Sequence, residues 1–277
     1  MVPLPGAPPE ARYTIEGGRA GKARLDVLNE VIWPTSSALL ASAGVPSGGR
    51  VLDLGCGGGH VSLELARMVG RHGSVVGIDL DAEIIDLARA DASAAGVANV
   101  EFRVGTAGEI QGGPFDLAYA RFLLSHVADP FAVVCLLSAA VVPGGLVVVE
   151  DVDFRGSFCH PPSVAYQRSV ELYTVVCRRQ GGNAEIGPAL PGFLLAAGLE
   201  DVQVGVVQPV ALTGGAKDLC HLTLARTAAA ITAAGLAGEA ELAELVTELE
   251  RLAADPTTLV SVPRIVQSWG RVPFSRP

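Results

Sequence analysis

The sequence predicts an α/β protein built on a doubly wound, mostly parallel sheet. Short strands that are apolar throughout alternate with helices that are apolar on one face, and a glycine cluster closes the first strand. A strand apolar on both sides must be covered on both, and repeated strand–helix alternation supplies the two covering layers.

The first strand is Arg50 to Leu54. Behind the glycines, Val61, Leu65, Met68 and Val69 fall at i, i+4, i+7 and i+8, the spacing of one helical face. Val75 to Ile78 is a second strand, followed by a helix from about Glu83 to Ala95 that presents Ile84, Leu87 and Ala88 together and stops near Gly96. Strands at Val100–Val104, Phe115–Tyr119 and Leu146–Glu150 continue the series, with a helix from about Asp129 to Val142 between the last two. Past Glu150 the alternation loosens. A helical stretch opened by Pro161 runs to about Arg179, a Gly-rich loop follows, and a short helix near Pro191–Ala197 leads to a strand at Val202–Val207. Two helical stretches, about Ala216–Ala234 and Glu239–Ala253, precede a last apolar segment, Leu259–Trp269. In the second, Leu242, Leu245, Val246, Leu249 and Leu252 recur at helical spacing opposite an acidic face, so it packs through one side only. No repeat or low-complexity linker divides the chain, and residues 1–277 read as one domain.

Composition excludes several function classes. The 20 Lys+Arg against 29 Asp+Glu give a net charge of −9 and a pI near 5.0, the wrong sign for binding by neutralising phosphates or anionic lipid. Lys22 and Lys217 are the only lysines, and no basic stripe appears, so neither nucleic acid nor a membrane surface is an expected partner. The longest apolar stretch, Phe122–Val142, is interrupted by His126, Asp129 and Pro130 and does not suit a bilayer. The opening MVPLPGAPPEARY has no basic cluster followed by an apolar run, so a cytoplasmic location is expected. Cysteines 56, 135, 159, 177 and 220 are odd in number and form no C-x-x-C pair, which fits neither a disulfide framework nor a metal site.

The informative segment is VLDLGCGGGHVSLELA, Val51 to Ala66. In a parallel sheet the turn after the first strand points its N–H groups at the carboxyl end, where ligands collect, and glycine permits close approach to the backbone. A cofactor is therefore expected on Gly55, Gly57 and Gly59. The dinucleotide fingerprint G-x-G-x-x-G also starts at Gly55 and Gly57, but its third position falls on His60, which disfavours a nicotinamide cofactor.

Together with Asp53, these glycines spell D-x-G-x-G-x-G, and the segment resembles the first motif of the class I S-adenosylmethionine-dependent methyltransferases. The resemblance continues in GIDLD, where Asp79 ends the second strand 24 residues after the first glycine, in FDLAYARFLLSHVADP (Phe115–Pro130) and in VVPGGLVVVED (Val141–Asp151). It is closest to the small-molecule, quinone-modifying and natural-product branch. The resemblance implies a seven-stranded sheet with helical cap insertions, S-adenosylmethionine as cofactor and S-adenosylhomocysteine as product. It also implies a small-molecule acceptor methylated on O, N or C.

By the same resemblance, residues 45–150 form the cofactor-binding core, residues 1–30 a lid segment that brings Tyr13 over the cofactor, and 151–188 and 211–256 caps over the acceptor. Gly55, Gly57 and Gly59 would hold the methionine portion, Asp79 and Leu80 the ribose and the adenine edge, and Arg121 the loop beneath. The family often places an acid after the third strand to hold the adenine amino group, whereas Thr106 stands here, leaving that contact to Thr106 and Ala107. Asp81 reads as the cap of the following helix. His160 with Asp151, just past a central parallel strand, is the expected proton-handling pair, and His126 reads as a structural histidine. A homo-oligomer is compatible with the sequence. The same fold could instead carry a non-methylating protein, a cyclase or regulator that keeps the cofactor only as structure, and release of S-adenosylhomocysteine would separate the two.

Overall fold

The computed structural model describes residue 15 and residues 17–274. In chain order it contains α1 (Gly18–Ala43), β1 (Arg50–Leu54), α2 (His60–Val69), β2 (Ser74–Asp79), α3 (Ala82–Ala94), β3 (Val100–Val104), β4 (Phe115–Arg121), α4 (Pro130–Ala140) and β5 (Val141–Asp153). These are followed by β6 (Cys159–His160), α5 (Val164–Arg179), α6 (Leu190–Ala196), β7 (Glu200–Val207), β8 (Val210–Ala211), α7 (Gly215–Ala233), α8 (Glu239–Ala254), β9 (Leu259–Ser261) and β10 (Arg264–Arg271).

Seven strands form one sheet in the order β3-β2-β1-β4-β5-β10-β7. The first five are mutually parallel, while β10 runs antiparallel to both β5 and β7. The strands are apolar throughout because each is covered twice. Leu52 and Leu54 of β1 pack with Val134 and Leu137 of α4 and Leu190 and Leu194 of α6. Val51, one residue before Leu52 and so on the opposite face, packs with Leu65 of α2 and with Leu39 and Leu40 of α1. The doubly wound, seven-stranded sheet expected from the sequence is thus present.

Strands β6 and β8 are additions to the sequence reading, α5 opens at Ser163 rather than Pro161, and three further differences concern larger elements. Helix α1 was not anticipated, because glycines crowd its start and Pro34 lies inside it; burial of Ile32, Leu39, Leu40 and Ala43 holds it in place despite both. Strand β5 begins at Val141 rather than Leu146. Val141 already pairs with Phe115, and the register shifts across Gly144–Gly145 before Leu146 meets Leu117, so residues read as the end of a helix belong to a bulged strand. The apolar run Leu259–Trp269 is split at Val262–Pro263. Its first part, β9, joins a small sheet with β6 and β8, and its second, β10, enters the main sheet.

The carboxyl ends of β1, β2, β4 and β5 open on one side, and α1, α5 and α7 close over it, α7 packing against both of the others. No helix among the described residues is long and apolar enough to cross a membrane. One buried cation fixes the root of α7. Lys217 is 1% exposed, and its Nζ donates to Leu212 O at 3.0 Å, Asp255 O at 2.5 Å, Thr258 O at 3.1 Å and Thr258 Oγ1 at 2.7 Å. It ties the start of α7 to the loop after α8. Lys217→Met leaves those oxygens without their donor, and chemical denaturation should show a loss of about 3 kcal/mol, the range expected for orphaned buried acceptors.

Candidate active site

The turn after β1 is built by glycine. Gly55, Gly57 and Gly59 have φ of +74°, +50° and +79°, a region that side chains other than glycine enter at a cost. Two donors lock it to the end of β2: the N–H groups of Gly55 and Cys56 both reach Ile78 O, at 2.8 and 3.1 Å. The third is Gly57 N–H, which donates to Asp79 Oδ2 at 2.8 Å. A Cβ on Gly57 would meet only Leu25 Cδ1, at 3.5 Å, so this glycine fronts the open side of the turn. Gly59 plays a different part from the one expected. A Cβ there would lie 2.6 Å from Phe102 and 2.9 Å from Ala88, so Gly59 lets α3 and β3 pack against the base of α2 and does not line the cavity described below.

Asp79 ends β2 with a mostly buried carboxylate that accepts from Gly57 N–H and, through Oδ1, from Asp81 N–H at 3.1 Å. Burial raises its pKa, opposed by those N–H groups. Asp81 is the helix cap: its Oδ1 accepts from Glu83 N–H and Ile84 N–H at 3.0 and 3.2 Å, and its Oδ2 from Gly18 N–H at 2.8 Å. The mouth of the cofactor region is therefore tied to the first turn of α1. Leu80, between the two acids, is 63% exposed. Asp53 sits deeper, accepting from Ser62 Oγ at 2.5 Å, and burial pushes it up to about 6 against the Ser62 hydrogen bond and the Arg121 charge. The side chain of Thr106 is engaged by Glu109, whose Oε2 also takes Thr106 N–H at 2.8 Å, so Thr106 has neither its hydroxyl proton nor its N–H free at the cavity wall.

One cavity of about 960 Å³ joins these groups to a chamber beneath α1, α5 and α7. Asp53, Gly55, Gly57, Asp79, Leu80, Thr106, Ala107 and Arg121 all line it. Arg121 leaves β4 and donates to Ser36 Oγ and Asn29 Oδ1, both at 3.1 Å, which clamps α1 to the sheet. Tyr13 lies outside the described residues. On the chamber side α7 contributes Ala216, Leu219, Cys220, Thr223 and Leu224, whereas α8 contributes nothing and buttresses α7 from outside.

His160 and Asp151 are not brought together at this cavity, which corrects the proton-handling pair expected from the sequence. His160 is exposed in the small sheet, paired with Leu259 across β9. Asp151 is fully buried below the cavity lining; its carboxylate takes the N–H groups of Ser125 at 3.0 Å and Val152 at 2.8 Å, and burial raises it to about 6. Proximity in sequence to the end of β5 did not reveal that this acid points into the loop after β4. His126 lines the cavity instead, on the short turn Leu124–His126. Burial holds its pKa down to about 4, and the Arg24 guanidinium adds to the effect. Sequence reasoning also missed Arg24, Leu28 and Asn29 of α1 and Tyr166 and Tyr173 of α5, all cavity residues. Recognising α1 as a helix was the signal that could have found the first three.

Residues 46–183 match a protein family described as methyltransferase domain. A ubiquinone biosynthesis O-methyltransferase of Xanthomonas axonopodis pv. citri is 38% identical over 103 residues, which is 36% of this chain and 41% of that protein. The chain spans less than half the length of the curated relatives it matches. Among solved structures, Haemonchus contortus phosphoethanolamine N-methyltransferase 2 in complex with S-adenosyl-L-methionine superposes with a TM-score of 0.58 at 18% identity, over 92% of this chain and 58% of that one. The 4+2 cyclase SpnF superposes with a TM-score of 0.50 at 18% identity, over 94% of this chain and 99% of that one. At such identities these two likenesses speak for the fold. Sequence match, strand order and glycine turn agree, and residues 46–183 form a class I S-adenosylmethionine-dependent methyltransferase domain.

Proposed function

We propose that the protein transfers a methyl group from S-adenosylmethionine to an O, N or C nucleophile of a small, largely apolar organic acceptor, with S-adenosylhomocysteine as the second product. The observation that carries this reading is the single cavity running from the glycine turn and Asp79 into an apolar chamber, large enough for two ligands end to end. The likeness to ubiquinone biosynthesis O-methyltransferases supports an oxygen nucleophile on a quinone-like or natural-product-like acceptor.

The residues present fit the cofactor. Asp79 keeps carboxylate lone pairs beyond its two backbone bonds, enough to accept ribose hydroxyls, and the open face of Gly57 admits the amino-acid portion. When bound, the cofactor supplies a methyl group already activated on a sulfonium. What the chain must add is placement and dryness: holding nucleophile and methyl in line contributes at best about 7–11 kcal/mol, and the walls of α1, α5 and α7 exclude water. Phe122 lines the cavity in a left-handed conformation with φ +55° that a bulky residue rarely adopts; its N–H is held by Glu150 O at 2.8 Å. His126, neutral at pH 7, accepts the hydrogen bond of an acceptor O–H and takes its proton as the oxygen becomes alkylated.

The direct test is turnover of quinol, phenol and amine acceptors with labelled S-adenosylmethionine, followed through S-adenosylhomocysteine release. Conversion of a substrate with the cofactor returned intact would favour a non-methylating role. In calorimetric titration the protein should bind S-adenosylmethionine and S-adenosylhomocysteine and ignore NAD; binding of NAD alone refutes the reading. Asp79→Ala should weaken S-adenosylhomocysteine binding roughly ten- to a hundredfold through loss of charge-assisted hydrogen bonds. By contrast, Asp81→Ala should cost about 1 kcal/mol of folding stability for the lost cap, with affinity near wild type. Equal affinity in wild type and Asp79→Ala would move the ribose elsewhere.

His126 also sets an acid response. Its pKa is lowered by folding, so its contribution is fully present above pH 6.5 and is lost as pH falls toward 4, because the unfolded chain takes the proton first. By pH 5 that loss amounts to about 2 kcal/mol. Thermal unfolding at pH 7 and pH 5 should therefore show a smaller acid decrement in His126→Gln than in wild type, and equal decrements would refute this accounting.

A further inference from the structure

We propose that the acceptor carries an anionic group, a carboxylate on an apolar or aromatic body, and that Arg24 is the residue that receives it. This deepens the methyltransferase reading and rests on it. Arg24 lines the chamber and is 9% exposed, yet its guanidinium makes a single hydrogen bond among the described residues, from Nε to Thr223 Oγ1 at 3.0 Å. No carboxylate among the described residues forms an ion pair with it. Every other cation described at or near the cavity is compensated. Arg121 holds Ser36 and Asn29 and faces Asp53, Lys22 pairs with Asp26 and Asp91 at 3.0 Å each, and Lys217 is wrapped by four oxygens. An arginine keeps its charge in any protein environment, and a buried charge without a partner is destabilising, so its terminal nitrogens are poised for an anion that enters with the ligand.

Position decides which ligand. Successive residues of a helix point about 100° apart. Leu25 reaches toward Gly57 and Asn29 holds Arg121, so that face of α1 borders the cofactor region. Arg24, one residue before Leu25, turns instead to Thr223 on α7, within the electrostatic reach of His126. The chamber that it lines is also walled by Leu28, Tyr166, Val170, Tyr173, Leu219 and Leu224. One fixed cation in such surroundings selects a ligand with one acidic group. A planar guanidinium takes a carboxylate through two parallel N–H donors, and a neutral isostere would leave the arginine unpaired, so discrimination between the two is large.

The probes are 2-naphthoate and 2-naphthamide, equal in shape and different in charge, titrated into protein loaded with S-adenosylhomocysteine. Wild type should bind the acid at least about tenfold more tightly than the amide, and Arg24→Gln should erase the difference while S-adenosylhomocysteine affinity stays unchanged. Without any ligand, Arg24→Met should raise the unfolding temperature by about 2–4 °C, since it removes a buried charge that no carboxylate among the described residues pairs with, whereas a merely structural arginine would lower it. Equal binding of acid and amide by wild type overturns the proposal. So does loss of S-adenosylhomocysteine affinity in Arg24→Gln, which would assign the arginine to the cofactor's own carboxylate. A wild type that binds neither S-adenosylmethionine nor its product would instead sink the methyltransferase reading, an outcome distinct from both.

Discussion

Three donors in the turn after β1, aimed at two consecutive residues of β2, are the constraint on which the rest of the molecule depends. Gly55 and Cys56 reach the carbonyl of Ile78, and Gly57 reaches the carboxylate of Asp79. Those bonds require positive φ at the glycines, so the chain can enter α2 only in one direction, with the backbone of the turn facing the carboxyl end of the sheet. They also orient Asp79 before any ligand arrives. The acid is thus a structural acceptor that also lines the cavity, its pKa raised by burial but restrained by neighbouring N–H groups.

Around this turn the molecule separates two environments that meet at one point. Polar backbone and carboxylates line the end near β1 and β2, while α1, α5 and α7 enclose an apolar chamber. The single helix α1 serves both. Its first turn is held by Asp81 at Gly18, its middle by Arg121 at Asn29 and Ser36, and its other flank presents Arg24 toward α7. Because α7 is in turn rooted by Lys217, the chamber's shape rests on a few polar bonds within an otherwise apolar enclosure. Low local dielectric makes each of those bonds stronger and each unpaired group more costly.

Much of the cofactor side was legible in the sequence, because the elements that build it are local. Strand, glycine turn, helix and terminal acid lie within residues 50–79, and each follows from periodicity or from what glycine alone can do. Even there, the role of Gly59 depended on Phe102 and Ala88, distant in sequence, so a glycine read as a ligand contact is a packing contact. Thr106 likewise gave no sign that Glu109 would claim its hydroxyl.

The sequence by itself determined the fold class, the positions of the first five strands along the chain and the cluster that marks the cofactor region, since hydrophobic period and turn chemistry are short-range properties. Only the tertiary structure decided which side chains line the chamber. Asp151 lies near the end of β5 and His160 follows it, yet His160 pairs outward with β9 and Asp151 is consumed by the amides of Ser125 and Val152. His126, read as a structural histidine, and Arg24, not singled out in the sequence, line one cavity because α1 folds over the sheet in spite of Pro34. Which side chains share a cavity depends on burial accumulated over the whole core, a long-range sum that no local pattern encodes.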